Sequence, residues 1–347
     1  MLVQLISVAT IAGALMLPAT NLVAAPRTGE PISAIIAPTN VDAKKVGLGK
    51  MLFFEPRLSK SATISCDSCH NLGMGGDDNR VSSIGHGWNI GPINSPTVYN
   101  AVYGIAQFWD GRAKDLKDQA GGPIANPGEM GSNHELAVKT LNSIPAYRRL
   151  FQDTYGKSTI EIGLVQDAIA AFEETLVTPN SRFDQWLAGN DGALTADETK
   201  GYELFKNTGC VSCHNGAAVG GGSFQKFGLV KTYAGNLKKG AQLGRYNVTK
   251  LESDKFVFKV PTLRNVEHTA PYFHDGSVWT LEEAATVMAD VQLGKKLTVE
   301  ESKLIASFLR TLTGEFPKVE FPQLPASTEE TPKPNDSLMT IASQGKK

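Results

Sequence analysis

The sequence has almost no net charge. Lysine and arginine total 34 residues and aspartate and glutamate 35, which gives a formal net charge of −1. A protein that binds nucleic acid through its phosphates needs an excess of basic side chains, so no nucleic-acid partner is expected. Apolar residues make up 41% and charged residues 20%, which excludes a disordered polar chain. A chain of 347 residues is long enough for two packed domains.

Long hydrophobic runs are absent after the amino terminus. Residues 1–25 contain no charged side chain and end in a small-residue stretch before Pro26, which predicts a cleaved signal peptide. The alternative is an uncleaved membrane anchor. It is disfavoured because Pro18 interrupts the apolar run and leaves less than the ~20 residues that a spanning helix needs. We therefore expect an exported protein without a stable membrane span.

Alternating β patterns are also scarce, and helical periodicity dominates. After an exposed lead that contains Pro31 and Pro38, apolar spacing predicts a helix over Val41–Phe54. Thr195–Glu198 is a capping box that opens a second helix. Each of these helices leads into a pentapeptide of the form Cys-x-x-Cys-His. The repetition predicts two domains.

Three more helices follow from periodicity and capping. Ile160–Leu176 has one apolar face and ends the first domain. Thr280–Ala289 is the second, and the capping box Thr298–Glu301 opens a third that ends near Gly314 and closes the second domain. The remaining chain is rich in proline and charge, and we expect it to lie over the surface or to be partly disordered.

Cysteine is rare, and every cysteine lies in one of the two pentapeptides. Two thiols three positions apart can add to the two vinyl groups of one haem, and the adjoining histidine can bind the iron. A zinc half-site would need further cysteine or histidine pairs, and a dithiol redox motif would need a βαβ setting; neither pattern occurs. The sequence thus predicts two covalently bound haem c groups, attached at Cys66, Cys69, Cys210 and Cys213, with His70 and His214 on the irons.

The predicted fold is therefore mainly α, with two cytochrome c-like haem domains in tandem and long loops. We expect an N-terminal haem domain over residues 26–185 and a C-terminal haem domain over residues 186–315. Residues 316–347 form the tail.

Several motifs occur in the order found in the bacterial di-haem cytochrome c peroxidases. They are Leu48–Ser59, Cys66–His70, Phe108–Arg112, Asn126–Met130, Pro261–Asn265 and Ala270–His274. The chain resembles this family over about residues 40–315, with Glu55 as a conservative departure where the family more often has aspartate. The resemblance implies a periplasmic enzyme that reduces hydrogen peroxide to water. The resemblance also implies that this enzyme receives electrons from a small carrier such as cytochrome c. Members of the family commonly form homodimers.

The resemblance implies that the N-terminal domain is the low-potential, peroxidatic one and that the C-terminal domain is the high-potential, electron-transfer one. It also implies the sixth ligands of the two irons. Met288 matches the axial methionine of the second haem, a ligand that raises the reduction potential; most helical methionines otherwise fill gaps in a core. His86, between Gly85 and Gly87, matches the ligand of the resting first haem, which leaves when the other haem is reduced. Some family members rest with this position open.

Three further side chains receive catalytic roles from the resemblance. Glu129 matches the acid–base glutamate, which takes a proton from peroxide and returns it to the departing oxygen; an ordinary loop glutamate would simply be solvated. Gln119 is a candidate polar partner in the same pocket. Trp109 matches the tryptophan that bridges the two haems, and His274 matches a residue at the edge of the second haem.

A calcium ion at the domain junction is implied as well. The side chain of Asn94 and the backbone carbonyls of Thr269 and Pro271 match the family's protein ligands, and such oxygen donors suit a hard cation.

Two other functions stay open at this point. One is a di-haem electron-transfer cytochrome without peroxidase activity. The other is the related methylamine-utilisation type of di-haem oxidase, which modifies a partner protein and has tyrosine where Met288 stands here.

Overall fold

The computed structural model describes residues 25–237 and 243–334. The predicted signal peptide lies outside them except for Ala25. The helices are α1 (Ala43–Phe53), α2 (Cys66–Cys69), α3 (Leu116–Ala125), α4 (His134–Asn142), α5 (Pro145–Tyr155), α6 (Ile162–Glu173), α7 (Arg182–Leu187), α8 (Ala196–Thr208), α9 (Tyr246–Thr249), α10 (Leu281–Leu293) and α11 (Val299–Arg310). Two short strands, β1 (Phe224–Lys226) and β2 (Val257–Lys259), pair antiparallel. The mainly α class is confirmed.

The helix ends follow the predicted caps closely. Asp42 caps α1, and the hydroxyls of Thr195 and Thr298 accept the N–H groups of Glu198 and Glu301, which completes both capping boxes. Helix α10 continues four residues beyond the predicted end, whereas α11 stops at Arg310, four residues before its predicted end. None of the helices within the two described ranges is both long and apolar enough to cross a membrane.

The two halves of the chain contain the same kind of helix crossing. A Cβ added to Gly49 on α1 would lie 1.8 Å from the carbonyl oxygen of Ala168 on α6. A Cβ added to Gly201 on α8 would lie 2.0 Å from the carbonyl oxygen of Leu304 on α11. Each pentapeptide therefore follows a helix whose backbone is in direct contact with the last helix of its half.

Two large groups of buried apolar side chains form separate cores. The first lies among α1 and α3 to α6 and includes Leu52, Tyr147 and Ile169. The second lies among α7, α8, α10 and α11 and includes Phe183 and Phe308. Helix α7 thus packs with the second half of the chain.

The lead before α1 packs against the second core. Most of its residues are exposed, as expected, but Ile32 and Ile35 are buried, and there the prediction of an exposed lead was wrong. Burial of their apolar surface from water is favourable. The carboxylate of Glu30 also accepts a hydrogen bond of 2.6 Å from the hydroxyl of Tyr202.

The described part of the tail forms a C-terminal strap, residues 316–334, which runs back over the first core. The guanidinium of Arg57 donates to the carbonyl of Pro325 at 2.8 Å, and the hydroxyl of Thr328 donates to the carbonyl of Ser143 at 3.0 Å. Surface packing of the tail is confirmed for these residues, and residues 335–347 lie outside the described ranges.

The same arginine neutralises a buried carboxylate. Glu55 is fully buried, and its carboxylate accepts from Arg57 at 2.6 Å and from the hydroxyl of Tyr147 at 2.6 Å. A buried carboxylate without such partners would be strongly unfavourable. The Glu55 position therefore links the end of α1, helix α5 and, through Arg57, the strap.

The glycine crossings generate a stability prediction. Gly201→Ala should destabilise the fold by about 1–3 kcal/mol, because the added methyl group overlaps the backbone of α11. Gly49→Ala should do the same between α1 and α6. Urea unfolding followed by circular dichroism measures both effects. The matched control is Gly47→Ala, where an added Cβ meets nothing within 4 Å and should be neutral or stabilising. Equal stabilities of the Gly47 and Gly49 variants would contradict the prediction.

Candidate functional site

The second pentapeptide opens onto a large cavity in the second half of the chain. The side chains around it that the sequence singled out are Cys210, Cys213, His214, Met288, Trp109 and His274. The structure therefore brings the predicted axial methionine, from α10, into the same cavity as the predicted proximal histidine. The two lie 74 positions apart in the sequence, so no local pattern could have shown this.

His214 has the environment of a metal-binding histidine. Burial lowers its pKa to about 4, so the ring is neutral at physiological pH. Its Nδ1 lies 3.1 Å from the carbonyl oxygen of Val219 and must carry the proton, which leaves Nε2 free to bind a metal. Gly220 makes this turn possible: its φ is +138°, and an added Cβ would lie 2.1 Å from the carbonyl oxygen of Pro261. These features fit an iron bound by His214.

The first pentapeptide forms α2 and the residue after it. Ser65 precedes the helix, and its N–H donates to the hydroxyl of Ser68 at 3.0 Å. His70 follows α2, and burial lowers its pKa. The neighbouring backbone groups of Gly76 and Pro96 act in the opposite direction. A buried imidazole with backbone groups beside it fits a metal ligand.

The cysteines lack the environment of a reactive dithiol. Burial raises the pKa of Cys69 and that of Cys210 to about 11, and it raises the pKa of Cys66 still further. Reactive thiols have a lowered pKa, usually from a nearby cation or helix amino terminus. The dithiol redox alternative is therefore disfavoured, and the thioether alternative is favoured.

Glu173 is an ionisable residue near Cys66 that the sequence reasoning missed. It lies on α6, is 5% exposed, and has a pKa that burial raises to about 8. Its charge would raise the pKa of Cys66. The apolar periodicity of α6 gave no signal for a charged residue on its buried side.

The loop that carries His86 packs directly on the loop that carries Glu129. The N–H of His86 donates to the carbonyl of Glu129 at 2.6 Å. Beneath the imidazole lies Gly131, with φ +63°, where an added Cβ would come 2.4 Å from the ring. Nδ1 of His86 is buried and has no hydrogen-bond partner within the described ranges. Two residues predicted separately thus belong to one site.

The carboxylate of Glu129 is held by its own loop. Nδ2 of Asn126 donates to it at 2.7 Å. Burial raises the pKa of Glu129, against the opposing effects of the Arg112 charge and the Asn126 hydrogen bond. Asn126 belongs to the motif Asn126–Met130, but the sequence analysis gave it no role. Its position three residues before Glu129 is the signal that could have indicated their contact. Gln119 is half-buried on α3 and forms no side-chain hydrogen bond with any described residue, Glu129 included.

Trp109 is joined to both halves of the chain. Its Nε1 donates to the carbonyl of Asn94 at 2.9 Å, and its own carbonyl accepts from the N–H of Lys259 at 2.8 Å. Its ring meets that of His274 edge to face, with the ring centroids 6.3 Å apart. His274 in turn stacks on Phe258 at 4.3 Å, and its buried Nε2 has no partner in the described part of the chain.

The three predicted calcium ligands line the same cavity. Asn94, Thr269 and Pro271 all line it, and so does the buried Asp77, which the sequence reasoning missed. The amide of Asn94 donates to the carbonyl of Arg80 at 2.9 Å, which leaves its side-chain oxygen free of that contact. Asp77 follows His70 closely in the sequence. This nearness to the first pentapeptide is the signal that could have marked it as a candidate site residue.

Comparison with known proteins gives the family. A family description of di-haem cytochrome c peroxidases matches residues 43–192. The cytochrome c551 peroxidase of Nitrosomonas europaea is 56% identical over 304 residues, covering 88% of this chain and 90% of that protein. The cytochrome c551 peroxidase of Pseudomonas aeruginosa is 51% identical and covers 83% and 84%. The chain belongs to the di-haem cytochrome c peroxidase family, whose members carry haem c.

The family has another branch, and the chain is less similar to it. The methylamine utilization protein MauG of Methylorubrum extorquens is 35% identical, over 81% of this chain and 82% of that protein. Among solved structures, a MauG-like protein associated with microbial copper homeostasis superposes with a TM-score of 0.70 at 28% identity, covering 83% of this chain and 95% of that one.

The buried Glu173 generates a pH prediction. Its pKa is 4.5 in the unfolded chain and about 8 in the fold, so the fold holds the extra proton. Stability should be highest below the unfolded pKa, should fall as the pH rises and should level off above the folded pKa. Glu173→Gln should reduce this slope, to which the buried Asp77, with a pKa raised to about 7, also contributes. The variant should be the more stable protein at pH ~9, by on the order of a few kcal/mol.

Urea unfolding of the holoprotein across this pH range measures the effect. Glu174→Gln, at the neighbouring exposed position, is the control and should keep the wild-type slope. If Glu173→Gln keeps the wild-type slope, the pKa of this carboxyl does not differ between the folded and unfolded states.

Proposed function

We propose that this protein reduces hydrogen peroxide to water with electrons from a small cytochrome c. The observation that most directly supports the proposal is the contact between the loop of His86 and the loop of Glu129. This contact places the proposed removable ligand, His86, beside the proposed acid–base group, Glu129. The identity to cytochrome c551 peroxidases of two bacteria supports the same reaction.

Each half of the chain would hold one haem c, which supplies an iron that takes up and gives off electrons. Thioether bonds would form at the four cysteines, with His70 and His214 as proximal ligands, Met288 as the sixth ligand of the second iron and His86 as that of the first. The repeated glycine crossing supports two tandem haem domains. Since α7 packs with the second core, we place their border at residues 177–181 instead of 185 and 186.

Glu129 would move the proton. Its carboxylate takes a proton from bound peroxide and returns it to the oxygen atom that leaves as water. Burial brings its pKa closer to neutral pH, where one group can serve first as base and then as acid. Asn126 holds the carboxylate in place, and Gln119 is a further polar residue in the same half.

Trp109 would provide the contact between the two halves through which electrons pass. Its hydrogen bonds to Asn94 and Lys259 fix the indole at the wall of the cavity that contains Met288. His274, in edge contact with Trp109, has a free buried Nε2 that suits a hydrogen bond to the second haem.

Glu129→Gln tests the reaction. The amide cannot take up the proton, so peroxide turnover should fall by about 10²–10⁴-fold while both haems stay attached. The wild-type rate should also fall as the pH drops below the raised pKa of Glu129, and the variant should lack this acid limb. Stopped-flow mixing of the half-reduced protein with peroxide measures both. Glu135→Gln, an exposed acid on α4, is the control. Equal rates in the wild type and Glu129→Gln would favour the electron-transfer cytochrome.

Met288→His tests the division of labour between the haems. A nitrogen ligand in place of sulfur should lower the reduction potential of the second haem and abolish the charge-transfer band of a methionine–iron bond. Spectroelectrochemical titration measures both effects. Met51→Leu is the control, because Met51 packs against the first core. Retention of the band in Met288→His would show that another residue binds the iron.

We also propose a calcium ion at the Asn94, Thr269 and Pro271 positions. The oxygen atoms there suit a hard cation, and Asp77 adds a carboxylate to the lining of the same cavity. Its role would be to hold the two halves in one relative orientation.

Chelation tests the calcium site. Removal of calcium should lower the melting temperature, since a ligand present at 100 times its dissociation constant stabilises a fold by about 2.7 kcal/mol. Added calcium should restore the melting temperature of the wild type but not that of Asn94→Ala. A melting temperature that does not respond to the chelator would contradict the proposal.

We also propose a cellular compartment and an oligomeric state for the enzyme. The apolar segment at residues 1–25 supports export to the periplasm, where small cytochromes could serve as donors. Trp88 and Ile90, beside His86, are 77% and 76% exposed, and apolar side chains so exposed support a homodimer contact at this loop.

A further inference from the structure

Lys259 carries a charge that no described residue neutralises. It lies on β2 and lines the cavity that contains His214 and Met288. Its ammonium group has no hydrogen-bond or ion-pair partner in residues 25–237 and 243–334. Burial lowers the pKa of Lys259 to about 8, and no carboxylate raises it again.

The backbone fixes this lysine at the junction of the two halves. Its N–H donates to the carbonyl of Trp109 at 2.8 Å, and it pairs with Phe224 of β1. A Cβ added to Gly104 would lie 3.4 Å from Nζ, so the ammonium group lies against the backbone of the first half. The backbone of Lys259 is therefore held at Trp109, and its ammonium group at Gly104, where both line the same cavity.

The carboxylates near this region already have partners. Asp110, next to Trp109, accepts from Arg112 with both oxygens at 3.0 Å. Asp275, next to His274, accepts from the hydroxyl of Tyr233 at 3.1 Å. Asp77, which lines the same cavity, accepts from the N–H groups of Asp78 and Asn79. Lys259 is only partly exposed, and a largely desolvated cation without an anion is unfavourable. An anion bound in the cavity would remove this cost.

We propose that Nζ of Lys259 forms an ion pair with a propionate of the second haem, beside Trp109. Haem c has two carboxylates, and charge-assisted hydrogen bonds of this type are short and strong. The pair makes Lys259 a positioning residue: it fixes the haem edge against the tryptophan and offsets negative charge near the iron. This inference rests on the second haem of the proposed function, but not on peroxide turnover.

Lys259→Met in the holoprotein tests the ion pair. Loss of the cation leaves the propionate charge uncompensated and stabilises the oxidised iron, so the midpoint potential of the methionine-ligated haem should fall. The propionate bending band of that haem in the resonance Raman spectrum should shift as well. Lys259→Arg keeps the charge and should retain the wild-type potential. Lys250→Gln, at an exposed position, is the control. If the potential and the band in Lys259→Met equal those of the wild type, the ion pair does not exist.

Two further measurements distinguish a failure of the Lys259 inference from a failure of the proposed function. The intact mass shows whether two haems are attached; wild-type protein without the second haem would overturn the proposed function rather than the role of Lys259 alone. If Lys259→Met fails to fold, a crystal structure of the wild-type holoprotein decides. An Nζ-to-propionate distance within hydrogen-bond range supports the proposal, and an Nζ directed away from both propionates overturns it.

Discussion

The fixed position of Trp109 is the constraint on which the rest of the architecture depends. Its side chain is bonded to Asn94 of the first half, and its backbone is bonded to Lys259 of the second half. The N–H of Asn94 in turn donates to the carbonyl of His274 at 2.9 Å. Neither half can rotate against the other without breaking these bonds. The proposed electron transfer between two centres requires a constant separation. The bonds from Lys259 to Trp109 and from Asn94 to His274 join main-chain groups, and the bond from Trp109 to Asn94 depends on the indole.

Polar atoms left without partners occur where the proposed cofactors would bind. Nδ1 of His86 and Nε2 of His274 are buried and have no hydrogen-bond partner within the described ranges. Buried polar groups are otherwise almost always hydrogen-bonded, and each exception requires an explanation. His214 differs, because its Nδ1 is already bonded to Val219 and only Nε2 remains available. At His214 the polypeptide itself therefore fixes which ring nitrogen would bind the proposed second iron.

The local features were predictable from the sequence because they depend on nearby residues. The bounds of α1 and α6 follow from apolar periodicity, and the starts of α8 and α11 follow from capping boxes at Thr195 and Thr298. The features that could not be predicted are contacts between residues far apart in the sequence. Nothing local shows that Ile32 packs into the second core, that Glu173 is buried beside Cys66, or that Lys259 lies against Gly104. Glu129 and His86 were found through motifs, but their contact exists only in the folded chain.

The C-terminal strap has a consequence for the order in which the molecule is assembled. The first half receives contacts at Arg57 and Ser143 from strap residues that are 268 and 185 positions further along the chain. The first half therefore cannot reach its final surface until the strap has been synthesised. The proposed haem attachment at Cys66 and Cys69 would take place on a half whose surface is completed by a distant segment, whereas the second half is closed by its own helix α11.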